Sequence, residues 1–168
     1  MRKAWETLGR PATLLGLLES EVQAGMHRPG GRGEPRVLKD PSAAIALVWV
    51  RRSLAFQTSL LGTLAEDRAS TLAAVAGEAY KSHLERYHTW ILKSTFRMGL
   101  SAMPSRAEFL HRLTAGGLRG EALSEALPSE REREGVCYEE MAELAEVQAR
   151  IVDEVGRLLV ALQLERAS

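Results

Sequence analysis

The feature that most constrains this chain is a helical pattern that runs from Ala79 to Pro104. Apolar and aromatic residues recur there at steps of three and four, which places their side chains on one face of a helix. Proline ends the pattern because it lacks an N–H group and disfavours helical geometry in the residue before it. The sequence therefore predicts one continuous helix over residues 79–104. His88 lies beside its apolar stripe, either as a core histidine or as the polar end of an apolar pocket.

The rest of the chain predicts an all-α protein with about six helices, because alternation typical of strands never persists. Asp40 and Pro41 predict the start of a second long helix, with Asp40 as the N-cap and Pro41 in the first turn. That helix is apolar on nearly all faces, which predicts that it is buried. We expect a single domain over residues 1–168. Helices are predicted near residues 12–24, 42–64, 106–113 and 138–164, with residues 118–135 forming a short helix and a solvated, charged loop.

Composition argues against several function classes. The 22 basic side chains balance 22 acidic ones, so nothing in the net charge favours a nucleic acid. Cys137 is the only cysteine, and His83 and His88 are five apart on different helical faces, so we expect no disulfide, metal site or cofactor. No nucleophile and base form a recognisable pair, and we expect no enzyme. No apolar run suits a membrane span or a signal peptide, so we expect a cytosolic protein that meets membranes at their surface.

Two blocks of the sequence resemble the glycolipid transfer protein family. The first is LVWVRRSL at residues 47–54, and the second is AYKSHLERYHTWILKSTFRMGLSAMPSRAEFL at residues 79–110. The second block keeps the family's order of Ala-Tyr, a Tyr-His pair, Trp, and a tail of small residue, Pro, basic residue, Phe and Leu. The resemblance implies a two-layer all-α helical sandwich that carries a sphingolipid between membranes. In that family the headgroup is held at the surface, and the hydrocarbon chains lie between the helix layers.

The resemblance also implies roles for individual residues. Trp49 would stack on a sugar headgroup, and His88 would hydrogen-bond the ceramide amide. Arg52 would either face the headgroup or pair inside the protein. Each of the three could instead be an ordinary packing or ion-paired residue. The acyl-chain pocket would be lined by Ile45, Phe56, Leu84 and Ile91.

Position 49 also bears on the choice of headgroup. The branch of the family that carries ceramide-1-phosphate has arginine at this position and another one turn earlier, where this chain has Ile45. A tryptophan face suits the apolar side of a sugar, whereas guanidinium groups suit a phosphate. We therefore expect a glycolipid. Ceramide-1-phosphate transfer is the alternative, and a binding-deficient scaffold that senses lipid or recruits a partner is a third possibility.

The resemblance is incomplete at the N-terminus. The family has a headgroup-binding Asp and Lys on a helix that precedes the segment similar to residues 12–24, but no aspartate precedes Asp40 here. We expect this chain to lack the first helices of the family. It would then be either a truncated product or a scaffold without its full site.

Overall fold

The computed structural model describes residues 13–115 and 129–166, and these residues are largely helical. A single 3₁₀ turn spans Glu85–Tyr87, and the only β-type pairing within the described ranges is an isolated bridge between Arg28 and Val37. This confirms the prediction of an all-α chain with six or so helices. The α-helices are α1 Leu14–Gln23, α2 Ala43–Glu66, α3 Leu72–His83, α4 Trp90–Ser101, α5 Arg106–Ala115 and α6 Glu130–Ala161.

The chain divides into two compact units, Met1–Leu54 with Arg150–Ser168, and Ala55–Ala149. In the first unit, apolar residues of α1, of the start of α2 and of the end of α6 pack together, with Leu18 and Leu159 fully buried. In the second unit, the core joins the end of α2 to α3, α5 and the start of α6. Its buried members are Leu64, Leu72, Val75, Leu110, Tyr138 and Met141. The expectation of one domain stays a prediction.

The start of α2 differs from the prediction. The helix begins at Ala43, and its N-cap side chain is Ser42, whose hydroxyl accepts a hydrogen bond from the Ile45 N–H at 3.1 Å. The prediction of Asp40 as the cap was wrong because a buried acid of α1 completes this end instead. The carboxylate of Glu21 accepts the N–H groups of Ala43 at 2.6 Å and Ala44 at 3.0 Å. Glu21 thereby satisfies donors that every helix start leaves open, and it locks α1 to α2.

The predicted continuous helix over residues 79–104 is also wrong. Helix α3 ends at His83, the 3₁₀ turn follows, and His88 has extended backbone geometry with φ −93° and ψ 142° before α4 begins at Trp90. The break ends with Tyr-His-Thr at residues 87–89, three residues that favour a helix only weakly. Apolar residues keep their spacing of three and four through this segment of the sequence, so the spacing gave no sign of the break.

Helix α6 begins at Glu130 rather than Tyr138 and ends at Ala161 rather than Leu164. The run that we expected to be a loop continues the helix because Glu and Arg are good helix formers and Glu130 and Glu132 suit the positive helix start. The remainder of the predicted 118–135 segment up to residue 128 lies outside the described residues. The helix predicted near residues 12–24 is confirmed as α1, and the hydroxyl of Thr13 caps it by accepting the Gly16 N–H at 3.0 Å.

The second helix is not buried on all faces, as its composition had suggested. Ala43, Ala44 and Val48 are buried, but Trp49 is 37% exposed and Val50 is 46% exposed. One side of α2 in the first unit therefore presents large apolar side chains to solvent. An exposed indole on a core helix needs an explanation beyond packing.

Candidate functional site

A polar pair lies at the junction of α3 and α4. The hydroxyl of Tyr80 is 3.0 Å from Nδ1 of His88, and Tyr80 itself is only 4% exposed. Burial raises the pKa of Tyr80, and the nearby carboxylate of Glu85 adds to the shift, so the phenol keeps its proton at neutral pH. A protonated phenol can donate to Nδ1. The imidazole then carries its own proton on Nε2, which makes that nitrogen a hydrogen-bond donor.

Aromatic contacts fix the Tyr80 ring in place. It stacks on Phe96 of α4 with the ring centroids 3.7 Å apart and the planes 10° from parallel. Phe56 of α2 packs edge-on against the same Phe96, at 6.1 Å and 86°. The three rings therefore connect α2, α3 and α4 of the second unit. Since Tyr80 holds His88, the imidazole is positioned by the packing of these helices as well as by its own backbone.

An apolar cavity of about 350 Å³ opens beside this pair. Its volume lies within the range of about 300–1,000 Å³ typical of small-ligand sites. Gly99 leaves open space on this side of α4, because a Cβ built at that position meets nothing within 4 Å. The polar imidazole thus lies at a cavity whose lining is otherwise apolar except for Thr95. The lining residues are His88, Leu92, Thr95, Phe96, Gly99, Leu100 and Met103.

The first unit contains a second candidate binding cluster, formed by an indole, two arginines and a glutamate. The Arg52 guanidinium lies 5.4 Å from the centroid of the Trp49 ring, a cation–π distance. Arg52 also donates from Nε at 3.2 Å and from Nη2 at 3.0 Å to one carboxylate oxygen of Glu165. Arg51 donates to the other oxygen at 3.0 Å. Arg52 therefore pairs inside the protein, which was one of its two expected environments.

The four residues expected to line an acyl-chain pocket occupy different environments. Ile45 is half-buried in the first unit, and Leu84 is half-buried at the end of α3. Phe56 packs on Phe96, which lines the cavity, whereas Ile91 is 56% exposed. None of the four is in the cavity lining itself, where α4 supplies Leu92 and Leu100 instead. Their roles as chain contacts remain predictions.

Helix α4 exposes a further apolar surface. Trp90 is 76% exposed and Met98 is 72% exposed, and Ile91 and Leu92 are also in contact with solvent. Lys93 and Arg97 lie on the same helix. Large apolar side chains beside basic ones are typical of a surface that meets a lipid headgroup layer.

The described residues give little support for metal binding, a reactive thiol or a membrane span. No group of His, Cys, Asp and Glu in residues 13–115 and 129–166 could hold a metal ion. Burial and the carboxylates of Glu140 and Glu134 raise the pKa of Cys137, which disfavours the reactive thiolate. None of the helices described here has the length and apolar character needed to cross a membrane.

The sequence pointed to His88, Trp49 and Arg52 but missed two of their partners. Tyr80 was visible as part of the apolar stripe, and its Ala-Tyr position in the family block could have identified it. Glu165 had no comparable signal, because it is separated from Arg52 by more than a hundred residues and its neighbours in sequence form no motif. Only a tertiary contact reveals it.

Comparison with known proteins gives a consistent result. A family model described as glycolipid transfer protein (GLTP) matches residues 1–115. The glycolipid transfer protein of Danio rerio is 36% identical over 109 residues, which are 62% of this chain and 48% of that protein. Glycolipid transfer protein 1 of Arabidopsis thaliana is 26% identical over 85 residues, 50% of this chain and 42% of that protein. The chain thus spans about half the length of the curated relatives that it matches.

Solved structures share the fold. Human ceramide-1-phosphate transfer protein, in complex with 12:0 ceramide-1-phosphate, aligns with a TM-score of 0.67 at 15% identity, covering 99% of this chain and 74% of that chain. A mutant of Arabidopsis accelerated-cell-death 11 complexed with C12 ceramide-1-phosphate aligns with a TM-score of 0.61 at 18% identity, covering 91% of this chain and 64% of that chain. At these identities the likeness establishes the helical fold.

Proposed function

The chain belongs to the glycolipid transfer protein family, and we propose that it binds a sphingolipid and transfers it between membranes without catalysing a reaction. The observation that carries the proposal is the apolar cavity of about 350 Å³ whose lining includes the imidazole of His88. Moving hydrocarbon from water to such a surface is favourable by roughly 25 cal/mol for each Å² of apolar surface removed from water. The imidazole of His88 would then orient the lipid, since the hydroxyl of Thr95, the other polar side chain of the lining, donates to the Ile91 carbonyl of its own helix.

His88 is suited to recognise the amide of a ceramide. With the Tyr80 hydroxyl donating to Nδ1, Nε2–H is the donor that would meet the amide carbonyl oxygen. The stacking of Tyr80 on Phe96 holds the ring in this orientation, so little side-chain entropy would be lost on binding. In this proposal Phe56, Leu84, Ile45 and Ile91 contact the hydrocarbon chains together with the cavity lining.

The headgroup side of the proposal involves Trp49 and Arg52. Trp49 is 37% exposed and can offer its ring to the apolar face of a sugar. The relatives named glycolipid transfer protein support this choice. Ceramide-1-phosphate is the second candidate, because the Arg52 guanidinium lies beside the indole, Arg51 shares its carboxylate partner, and the aligned structures hold that lipid. We favour the glycolipid since the guanidinium groups already bind a carboxylate.

The apolar face of α4 would contact the membrane. Trp90 and Met98 are its most exposed large side chains, and Lys93 and Arg97 could interact with anionic headgroups. Docking by this face would bring the cavity lining of the same helix close to the bilayer. The protein would then be cytosolic and reach membranes only transiently.

Filling the cavity tests the proposal. Gly99→Leu adds a side chain where the Cβ meets nothing, and the helix loses a glycine, so we expect the fold to persist while lipid transfer falls at least tenfold. The assay follows fluorescent galactosylceramide and ceramide-1-phosphate from donor to acceptor phosphatidylcholine vesicles. Gly135→Leu is the matched control, since Gly135 is also helical with open space at its Cβ but lies outside the cavity lining.

His88→Ala tests the role of the imidazole in the same assay. We expect transfer to fall about tenfold, because one hydrogen bond that orients the lipid is lost. His111→Ala serves as its control, as that histidine is exposed on α5. The proposal fails if wild-type protein moves neither lipid faster than spontaneous exchange, or if Gly99→Leu transfers lipid as well as Gly135→Leu.

A further inference from the structure

One carboxylate in the first unit binds two arginines at once. Glu165 Oε1 accepts Nε and Nη2 of Arg52, and Oε2 accepts Nη1 of Arg51 at 3.0 Å. The side chains are largely shielded from water, with exposed fractions of 10% for Glu165, 18% for Arg51 and 16% for Arg52. Hydrogen bonds between ions in such surroundings are much stronger than exposed surface pairs.

The short segment that carries Glu165 is itself held in place. The carbonyl of Gln163 accepts the Arg36 N–H at 2.7 Å, and the neighbouring Leu164 is 2% exposed. Arg166, on the other side, pairs with Glu34 at 2.7 Å. The backbone hydrogen bond at Gln163 and the buried side chain of Leu164 therefore hold the chain next to Glu165 close to the two arginines.

Glu165 occupies the Nε–Nη2 edge of Arg52, one of the two edges through which a guanidinium can bind a phosphate. A guanidinium grips a phosphate or carboxylate through neighbouring N–H groups of one edge, and the Nε and Nη2 donors of Arg52 both point to one oxygen of Glu165. The same guanidinium lies over Trp49. An internal anion is therefore bound next to the ring that we assign to the headgroup.

We propose that Glu165 is a specificity-determining residue, an internal anion that occupies Arg51 and Arg52 and so favours a neutral sugar headgroup over a phosphate. This inference rests on the proposed function and deepens it. Loss of the Glu165 carboxylate makes the charge around the two arginines more positive by one unit. A phosphate carries roughly −1.5 to −2 charges, so it is repelled by Glu165 and attracted once Glu165 is neutral. A sugar responds to neither change.

The test compares two lipids on the same protein sample. Wild-type, Glu165→Gln and Glu165→Ala proteins are assayed with fluorescent galactosylceramide and fluorescent ceramide-1-phosphate, each moving between phosphatidylcholine vesicles. The ratio of the two rates does not depend on how much of the sample is folded, and either substitution alone suffices. We expect the ratio of phosphate lipid to sugar lipid to rise about tenfold in both variants.

Two controls isolate the position of the charge. Glu154→Gln removes an exposed carboxylate from α6 in the same unit and should leave the ratio as in the wild type. Glu165→Asp keeps the charge and should keep the preference for the sugar lipid. An unchanged ratio in Glu165→Gln and Glu165→Ala, with wild-type transfer intact, overturns this inference and leaves the proposed function standing. Absence of any transfer by the wild type overturns both.

Discussion

Arg52 in the first unit and Arg106 in the second have the same functional group but different partners. Arg106 donates only to neutral backbone carbonyls in the bonds described here, those of Leu64 at 3.0 Å, Asp67 at 2.7 Å and Ser70 at 2.8 and 3.0 Å. Arg52 donates to a carboxylate and lies over an indole. The first arrangement closes the end of α2, and the second forms part of the candidate headgroup site.

The difference teaches what each arginine can do. Backbone carbonyls near the end of α2 carry partial negative charge and cannot leave, so Arg106 acts as a fixed clamp on the loop between α2 and α3. A carboxylate carries a full negative charge that can repel an anionic ligand, and a single substitution can remove that charge. Arg52 is therefore the arginine whose chemistry a substitution elsewhere can change.

The largest expected effect is a difference in protein stability between variants that lack one or the other arginine. Arg106→Ala should lower the free energy of unfolding by about 3 kcal/mol, because carbonyls of three residues lose a charged donor. Arg52→Ala should cost less, about 1–2 kcal/mol, because Arg51 still pairs with the carboxylate of Glu165, and this cost should shrink modestly in high salt, since salt screens a partly buried ion pair only weakly. Urea denaturation at low and high salt measures both.

Arg112→Ala is the control for this comparison, because Arg112 is exposed on α5 and pairs with Glu108 one turn away. Its loss should change stability by less than about 0.5 kcal/mol. Equal losses of stability for Arg106→Ala and Arg52→Ala, with the same salt dependence, would contradict the distinction between clamp and ion pair.

A smaller effect is expected where α6 passes Arg51. A Cβ at Gly156 would lie 2.8 Å from Nε of Arg51, whereas at Gly135 it would meet nothing within 4 Å. Gly135→Ala should stabilise the protein by about 0.5–1 kcal/mol through better helix propensity. Gly156→Ala should forfeit that gain, since Arg51 must shift away from Glu165. Thermal unfolding of the two variants compares them directly, and an equal gain in both would show that Arg51 is not held tightly.

The smallest effect concerns the loop beneath Arg106. Hydrogen bonds from Ser70 and Ala69, with a contribution from the charge of Arg106, hold the pKa of Asp67 below its usual 3.8. A carboxyl group whose pKa is lower in the folded than in the unfolded state stabilises the fold at pH values above its unfolded pKa. This stabilisation is lost as the pH falls through the folded pKa. Wild-type protein should therefore lose more stability than Asp67→Asn between about pH 5 and pH 3. Urea unfolding at both pH values measures this, and an equal shift of the urea midpoint in wild type and Asp67→Asn would refute it.

Much of the fold followed from residue spacing. Local patterns of apolar residues predicted the helices that correspond to α2 and α6, and the two family blocks led to Trp49, Arg52 and His88. The same periodicity misled at residues 84–89, because a 3₁₀ turn and one extended residue preserved the apparent stripe while reorienting His88. Weak helix formers at residues 87–89 were the available warning.

The start of α2 shows a different kind of failure. Asp40 and Pro41 are sound local signals, but the carboxylate of Glu21 comes from another helix and is fully buried, so a more distant residue took the capping role. Local propensities compare neighbours in sequence only. They cannot register a carboxylate that arrives through tertiary packing.

The sequence by itself determined the all-α class, the family and the residue types available for a lipid, because those depend on periodicity and on neighbouring side chains. Tertiary structure alone decided which partners these residues have: Tyr80 with His88, Glu21 with the start of α2, and Glu165 with Arg51 and Arg52. Hydrogen bonds and ion pairs act over about 3 Å in space. Chain folding, rather than order in the sequence, brings their donors and acceptors within that distance.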